Sequence, residues 1–235
     1  MRFAAALFWI AGCVHVTPEL ELPGALPADQ VLSQVAANQP DQFKMVHQVA
    51  AHFLGQTHVM VGYFLARRDG AFRVSASAAL GPRLFDVVRL NGYVDARTYL
   101  AQLNGKLEPK LVARSIELIY FVTCPPGSPI VSQEGFVARF HCAVTPQDGD
   151  LDGLDVSIDT RTLVPTRKVF SRGGHPLATV GYGEARRYGD IWLPSKVHLE
   201  HETGPSLDIA LIEYHPRADF SDQALVLPPQ EQESP

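Results

Sequence analysis

The sequence predicts a mainly β protein with short helices, and three observations carry that prediction. Residues 46–99 hold four apolar, roughly alternating runs separated by turn signals, the pattern of consecutive antiparallel strands. Residues 155–214 repeat it, with turns marked by Gly and Pro. Between the two sets, Glu108 to Phe121 changes to apolar spacings of three and four, the period of a helix.

Composition bounds what such a chain does. With 235 residues, 46% hydrophobic and 19% charged, it is sized for one large β-rich domain or two small ones. Its 12 Phe, 7 Tyr and 2 Trp, spread over many short strands, point to a cavity or barrel interior. The formal charge is −5, and −6 once residues 1–12 and their Arg2 are set aside, so no basic surplus is present to neutralise phosphates. Nucleic acid is therefore not an expected partner.

The N-terminus reads as an address. Met1-Arg2 and the apolar run after it form a charged start, a short apolar segment and small residues before a break, the parts of a secretory signal over residues 1–12. The run is too short to cross a bilayer. Its end, Ile10-Ala11-Gly12-Cys13, resembles the lipobox of bacterial lipoproteins, which implies that Cys13 is the acylated first residue of a mature chain. Several acyl chains on one cysteine hold a domain firmly to a membrane, whereas one does not. Val14 stands where an Asp would mark inner-membrane retention in enterobacteria, so the same resemblance implies the outer membrane, facing the periplasm. Residues 13–27, with three prolines and no periodicity, read as a tether.

The elements follow in order. Pro27-Ala28-Asp29 opens a short helix with Val31, Leu32 and Val35 on one face and Pro40 as its stop, a lid or plug for the sheet. From Met45, Val49, Ala51 and Phe53 alternate with Gln48 and His52; Gly55-Gln56, Asp69-Gly70 and Asn91-Gly92 then mark hairpins. Phe72, Val74, Ala76 and Ala78 share one face of the third strand. After it, Ala79-Leu80-Gly81-Pro82 places a large apolar residue where turn chemistry favours a polar one. In the mid-chain helix Pro109 lies in the first turn, and Leu111, Val112, Ile116, Ile119 and Tyr120 form a face to cap the sheet. A rigid loop from Cys124 leads to the strand FVARFHCAV, and the acidic QDGDLDGLD, lacking EF-hand spacing and the closing Glu, reads as a solvated hairpin. DVSID, PTRKVF, PLATVGYGEARRY, WLPSKVHLEHE and SLDIALIEY read as further strands, with a bend at Gly181-Tyr182-Gly183. ALVLPP reads as an apolar plug and residues 230–235 as a disordered tail.

Catalytic patterns are missing from this inventory. The sequence has no G-x-S-x-G elbow, P-loop or strand-borne G-x-G-x-x-G. His198 and His201 lie three apart on a strand, on opposite faces, and so cannot share a metal. The expectation is a non-enzyme with no metal and no cofactor. Cys124 and Cys142, the only cysteines after Cys13, are free to pair in an oxidising envelope or to stand as two buried thiols.

Taken together, the lipobox, tether, short helix, meander with a Leu-Gly turn, mid-chain helix and closing hairpins resemble the LolA/LolB family of lipoprotein carriers and receptors. IDTRTLVPTRKVF, ATVGYGEARRYGDIWLPSKVHLE and the final LPP are similar to the recurrent pattern of LolA-like lipoproteins. The resemblance implies a half-open antiparallel β-barrel over residues 28–229, plugged by helices. It implies an apolar interior that binds acyl chains of lipoproteins or lipids, with Phe72, Val74, Phe85, Tyr99, Ile116, Tyr120 and Trp192 as lining. SAALGPRLFDVVRLNG looks like the LolB segment whose protruding leucine hands a lipoprotein to the bilayer, which implies Leu80 as the membrane-insertion residue; the other reading of Leu80 is that it folds back onto the barrel as core. Pro82 departs from that segment, and the C-terminal half matches generic LolA-like lipoproteins better than LolB. The implied partners are acyl chains or lipoproteins, the membrane, and a periplasmic carrier protein. Two other readings stand beside this one: a scaffold of an envelope assembly with a filled core, and an envelope sensor that binds lipid.

Overall fold

A computed structural model describes residues 22–53, 55–79, 81–99, 108–144 and 151–227, leaving aside the side chain of Phe53. Among these residues twelve strands form one antiparallel sheet in the order β5-β4-β3-β2-β1-β14-β13-β10-β9-β8-β7-β6, and β11 and β12 form a separate hairpin. The first half of the chain lays β1 (Gln42–Phe53), β2 (Gln56–Arg67), β3 (Phe72–Ala78), β4 (Arg83–Leu90) and β5 (Tyr93–Thr98) from the sheet's centre out to one edge. A helix then carries the chain to the opposite edge. From there β6 (Ile130–Glu134), β7 (Val137–Ala143), β8 (Gly153–Asp159), β9 (Pro165–Arg172), β10 (His175–Tyr182), β13 (Lys196–His201) and β14 (Ser206–His215) return to the centre, and β14 pairs with β1 from Lys44↔His215 to His52↔Ser206. The half-open form expected is seen as one antiparallel sheet that does not close: β5 and β6 are its two edges and do not pair.

The turns follow their residues. Asn91 and Gly92 both adopt positive φ, 53° and 81°, the geometry of a two-residue hairpin whose twist suits the flanking strands. At the β3–β4 connection a Cβ on Gly81 would lie 2.9 Å from the Ala78 Cβ, so glycine is required by close approach. Ala79 and Pro82, which flank that turn, are exposed. Leu80 lies outside the described residues, as does Cys13.

Some elements differ from expectation, each for a physical reason. PLATVGYGEARRY and WLPSKVHLEHE are not single strands. The chain leaves the main sheet at Gly183-Glu184, forms β11 (Ala185–Tyr188) and β12 (Ile191–Pro194), and rejoins at Ser195. Two backbone bonds lock the base of that flap, Gly183 N–H to Lys196 O and Ser195 N–H to Glu184 O, each 2.8 Å. Edge strand β6 was not anticipated, because IVSQE shows no clean apolar alternation and is mostly exposed. The mid-chain helix is α2 (Pro109–Ile116) followed by a π-helical turn, Glu117–Phe121, closed by Val122 N–H to Glu117 O at 2.9 Å.

That wider turn lets consecutive apolar residues reach two cores. Leu118 and Ile119 join the first, with Val31 and Leu32 of α1 (Ala28–Asn38) and the inner faces of β7 to β10, β13 and β14. Phe121 reaches the second, with Phe43, Met45, Phe64, Phe72, Phe85 and Val87 on β1 to β4, and Tyr120 touches both. Rings at 5–6 Å centroid spacing fill the second core: Phe64 lies 5.8 Å from Phe43 and from Phe72 and 5.2 Å from Tyr120, and Phe72 lies 6.0 Å from Phe121. Within the first core Cys124 and Cys142 are joined as a disulfide with Cα atoms 5.6 Å apart. Closing a loop of 18 residues' separation contributes about 3 kcal/mol through the unfolded chain.

The outer face carries a second, smaller centre. Asp86 is fully buried there, with Arg73 at 3.1 Å, Arg83 at 2.8 Å and the Tyr99 hydroxyl donating at 2.7 Å. Arg73 also donates to the carbonyls of Ala224 and Val226, which pins a 3-10 turn, Asp222–Leu225, over β3 and β4. Leu225 is the fully buried residue of that turn, the part of the expected C-terminal plug that lies within the described residues.

Candidate ligand cavity

Where the two cores meet, the inner face is not filled. A cavity of about 580 Å³ lies between the π turn and the strands flanking the β1–β14 seam. That size falls within the roughly 300–1,000 Å³ usual for small-molecule sites. Its walls are Met45 and His47 from β1, Ile209, Leu211 and Tyr214 from β14, Lys168 from β9, Tyr182 from β10, and Ile119, Tyr120 and Phe121 from the π turn. The flap contributes Trp192 and Leu193, α1 contributes Gln34 and Val35, and residues 161–165 complete the rim. Leu26 N–H, bonded to Thr160 O at 2.9 Å, holds the segment entering α1 against that rim.

Four polar side chains interrupt the apolar part of this lining, His47, Tyr120, Lys168 and Tyr182, and each makes a hydrogen bond. The Tyr120 hydroxyl and His47 Nε2 are hydrogen-bonded at 2.9 Å, and burial lowers the His47 pKa to about 4, so the imidazole is neutral and its tautomer sets which of the two donates. Tyr182 donates its hydroxyl to Ile119 O at 2.7 Å, and Lys168 Nζ donates to Leu118 O at 3.2 Å and Ile119 O at 3.0 Å. Burial lowers the Lys168 pKa to about 7. Carbonyls near the end of a helix lack intrahelical partners, and here strands β9 and β10 supply them.

Of the seven residues expected to line a cavity, Tyr120 and Trp192 do so. Phe72 and Phe85 are buried in the second core, and Val74 and Ile116 pack against it. They miss the cavity because the rings of Phe43, Phe64 and Phe121 occupy that half of the inner face. Tyr99 is 39% exposed and lies on the outer face: Thr98 pairs with inward Phe85, so the next residue points away, to Asp86. Sequence reasoning missed His47, Lys168 and Tyr182. The signal was strand parity, since Phe43, Met45 and His47 alternate along β1, and Lys168 shares its face with Phe170.

No family model matches the sequence, and no curated protein sequence does. Solved structures match the fold. A domain described as an outer membrane lipoprotein-sorting protein from Vibrio parahaemolyticus has a TM-score of 0.55 at 11% identity, over 84% of this chain and 95% of that one. A LolA superfamily protein from Nitrosomonas europaea has a TM-score of 0.55 at 11% identity, over 86% and 99%. A DUF1329 family protein from Desulfovibrio piger has a TM-score of 0.55 at 9% identity, over 85% and 98%.

Proposed function

We propose that this chain, LolA-like in fold, is a lipid-anchored envelope protein that binds acyl chains of lipoproteins or lipids in its inner-face cavity, in the transport of lipoproteins to the outer membrane. The observation that carries the reading is the open apolar cavity itself, because a scaffold role asks only for a filled core. In this reading Cys13 is the acylated anchor, the protein faces the periplasm, and Leu80 enters the bilayer when cargo is released. Binding needs no covalent step. The cavity shields an acyl chain from water, and transfer occurs when a bilayer or a second carrier protein buries it more favourably.

The walls supply the test. Leu211 lies partly buried on the cavity side of β14, so Leu211→Trp puts bulk into empty space instead of into packed core. Palmitate binding measured by calorimetry is expected to weaken about tenfold or more in that variant, a loss of roughly 1.4 kcal/mol, with thermal stability little changed. Unaltered affinity in the folded variant would place the ligand elsewhere.

A further inference from the structure

Accepting acyl chains explains the apolar walls and leaves Lys168 unexplained. The residue sits mid-strand in β9, between Val156 on β8 and Val180 on β10, is 3% exposed, and lines the cavity. A cation on such a face is unfavourable unless it is paired. Its two acceptors are neutral carbonyls, one of them shared with the Tyr182 hydroxyl, and they leave a positive charge there uncompensated. An ammonium has three donors, and the third has no acceptor among the described residues. The Tyr182 ring, with its centroid 5.6 Å from Nζ, offsets only part of the cost of burying the ammonium. Of the other charged groups on the lining, Arg161 is paired with Asp159 at 2.7 Å, which leaves Arg187 and Asp190 at the rim.

We infer that Lys168 is a head-group subsite: the cavity takes an amphiphile whose anionic end, a carboxylate or a phosphate ester, is bound by Nζ while its tail lies along Met45, Leu211 and Trp192. This rests on the acyl-binding reading and narrows it to anionic lipids. The ligand's negative charge completes the ammonium's bonds and offsets the cost of burying it.

Titration calorimetry with palmitate, hexadecyl phosphate and hexadecanol, each below its micelle concentration at neutral pH, separates the cases. The protein is expected to bind at least one of the two anions about tenfold or more tightly than the alcohol, as a charge-assisted hydrogen bond provides. Preference for palmitate identifies a carboxylate ligand and preference for hexadecyl phosphate a phosphate ester. Lys168→Met should lose the preference while keeping its affinity for hexadecanol, and Lys168→Gln serves the same comparison if the Met variant does not fold. Equal affinity of the unaltered protein for all three, or a preference that survives in the variants, overturns the subsite and leaves the acyl-binding reading standing. No binding of any of the three overturns both.

Discussion

Replacing Asp86 with alanine is expected to cost about 3–5 kcal/mol of folding stability, the range for breaking a buried ion pair. The carboxylate is fully buried between Arg73 and Arg83, and the Arg73 side chain is itself only 15% exposed. Removing Asp86 leaves that guanidinium desolvated and uncompensated. The effect reaches the C-terminus, because Arg73 also holds the carbonyls of Ala224 and Val226 and so the turn that buries Leu225. Urea unfolding read by far-UV circular dichroism gives the loss as a shift in midpoint. Asp86→Leu combined with Arg73→Met should recover most of it, since a packed apolar pair replaces a buried ionic one at little cost. A single-variant loss below about 1 kcal/mol would mean that solvent reaches Arg73 and that the outer-face centre is not closed.

Acidification is expected to destabilise the fold through His47. Its folded pKa of about 4 lies below the unfolded value of 6.5, so between those limits the unfolded chain binds a proton that the folded chain refuses. The His47 contribution is therefore complete above pH 6.5 and is lost as pH falls toward 4, by about 3 kcal/mol in all. His201, whose pKa is also lowered by burial and by Arg114, adds in the same direction. The lowered carboxylates Asp69, Asp159 and Asp208 act below this window, because their pKa values lie under 3.8. Denaturation midpoints measured at pH 7 and pH 4.5 should converge in His47→Gln and separate in the unaltered protein. Equal acid sensitivity in both would assign the effect to other groups.

Strands were legible where side chains alternate and hairpins where the turn demands a particular backbone, as at Asn91-Gly92 and Asp69-Gly70. The mid-chain helix was legible by period, but its π turn was not. After Glu117 the run LIYF is apolar on consecutive positions, and its register is set by tertiary contact with two cores and by Lys168 and Tyr182. How far the half-open sheet curls was not legible for a related reason: it depends on sheet curvature and on what fills the interior, and neither is a local property of sequence. The site was half legible. Tyr120 and Trp192 were named as lining through the family resemblance and do line the cavity, whereas Lys168 and His47 read as polar positions until strand parity is counted from their apolar neighbours. Phe72 and Phe85 show the converse, because parity places them inward but only packing decides between lining and core.

The measurement closest to the central claim is native mass spectrometry of the protein purified from bacterial cells. The account predicts a population heavier than the bare chain by the mass of an acyl-bearing molecule, released on denaturation and diminished in Leu211→Trp. A single bare mass that stays unchanged after incubation with lipid would contradict it.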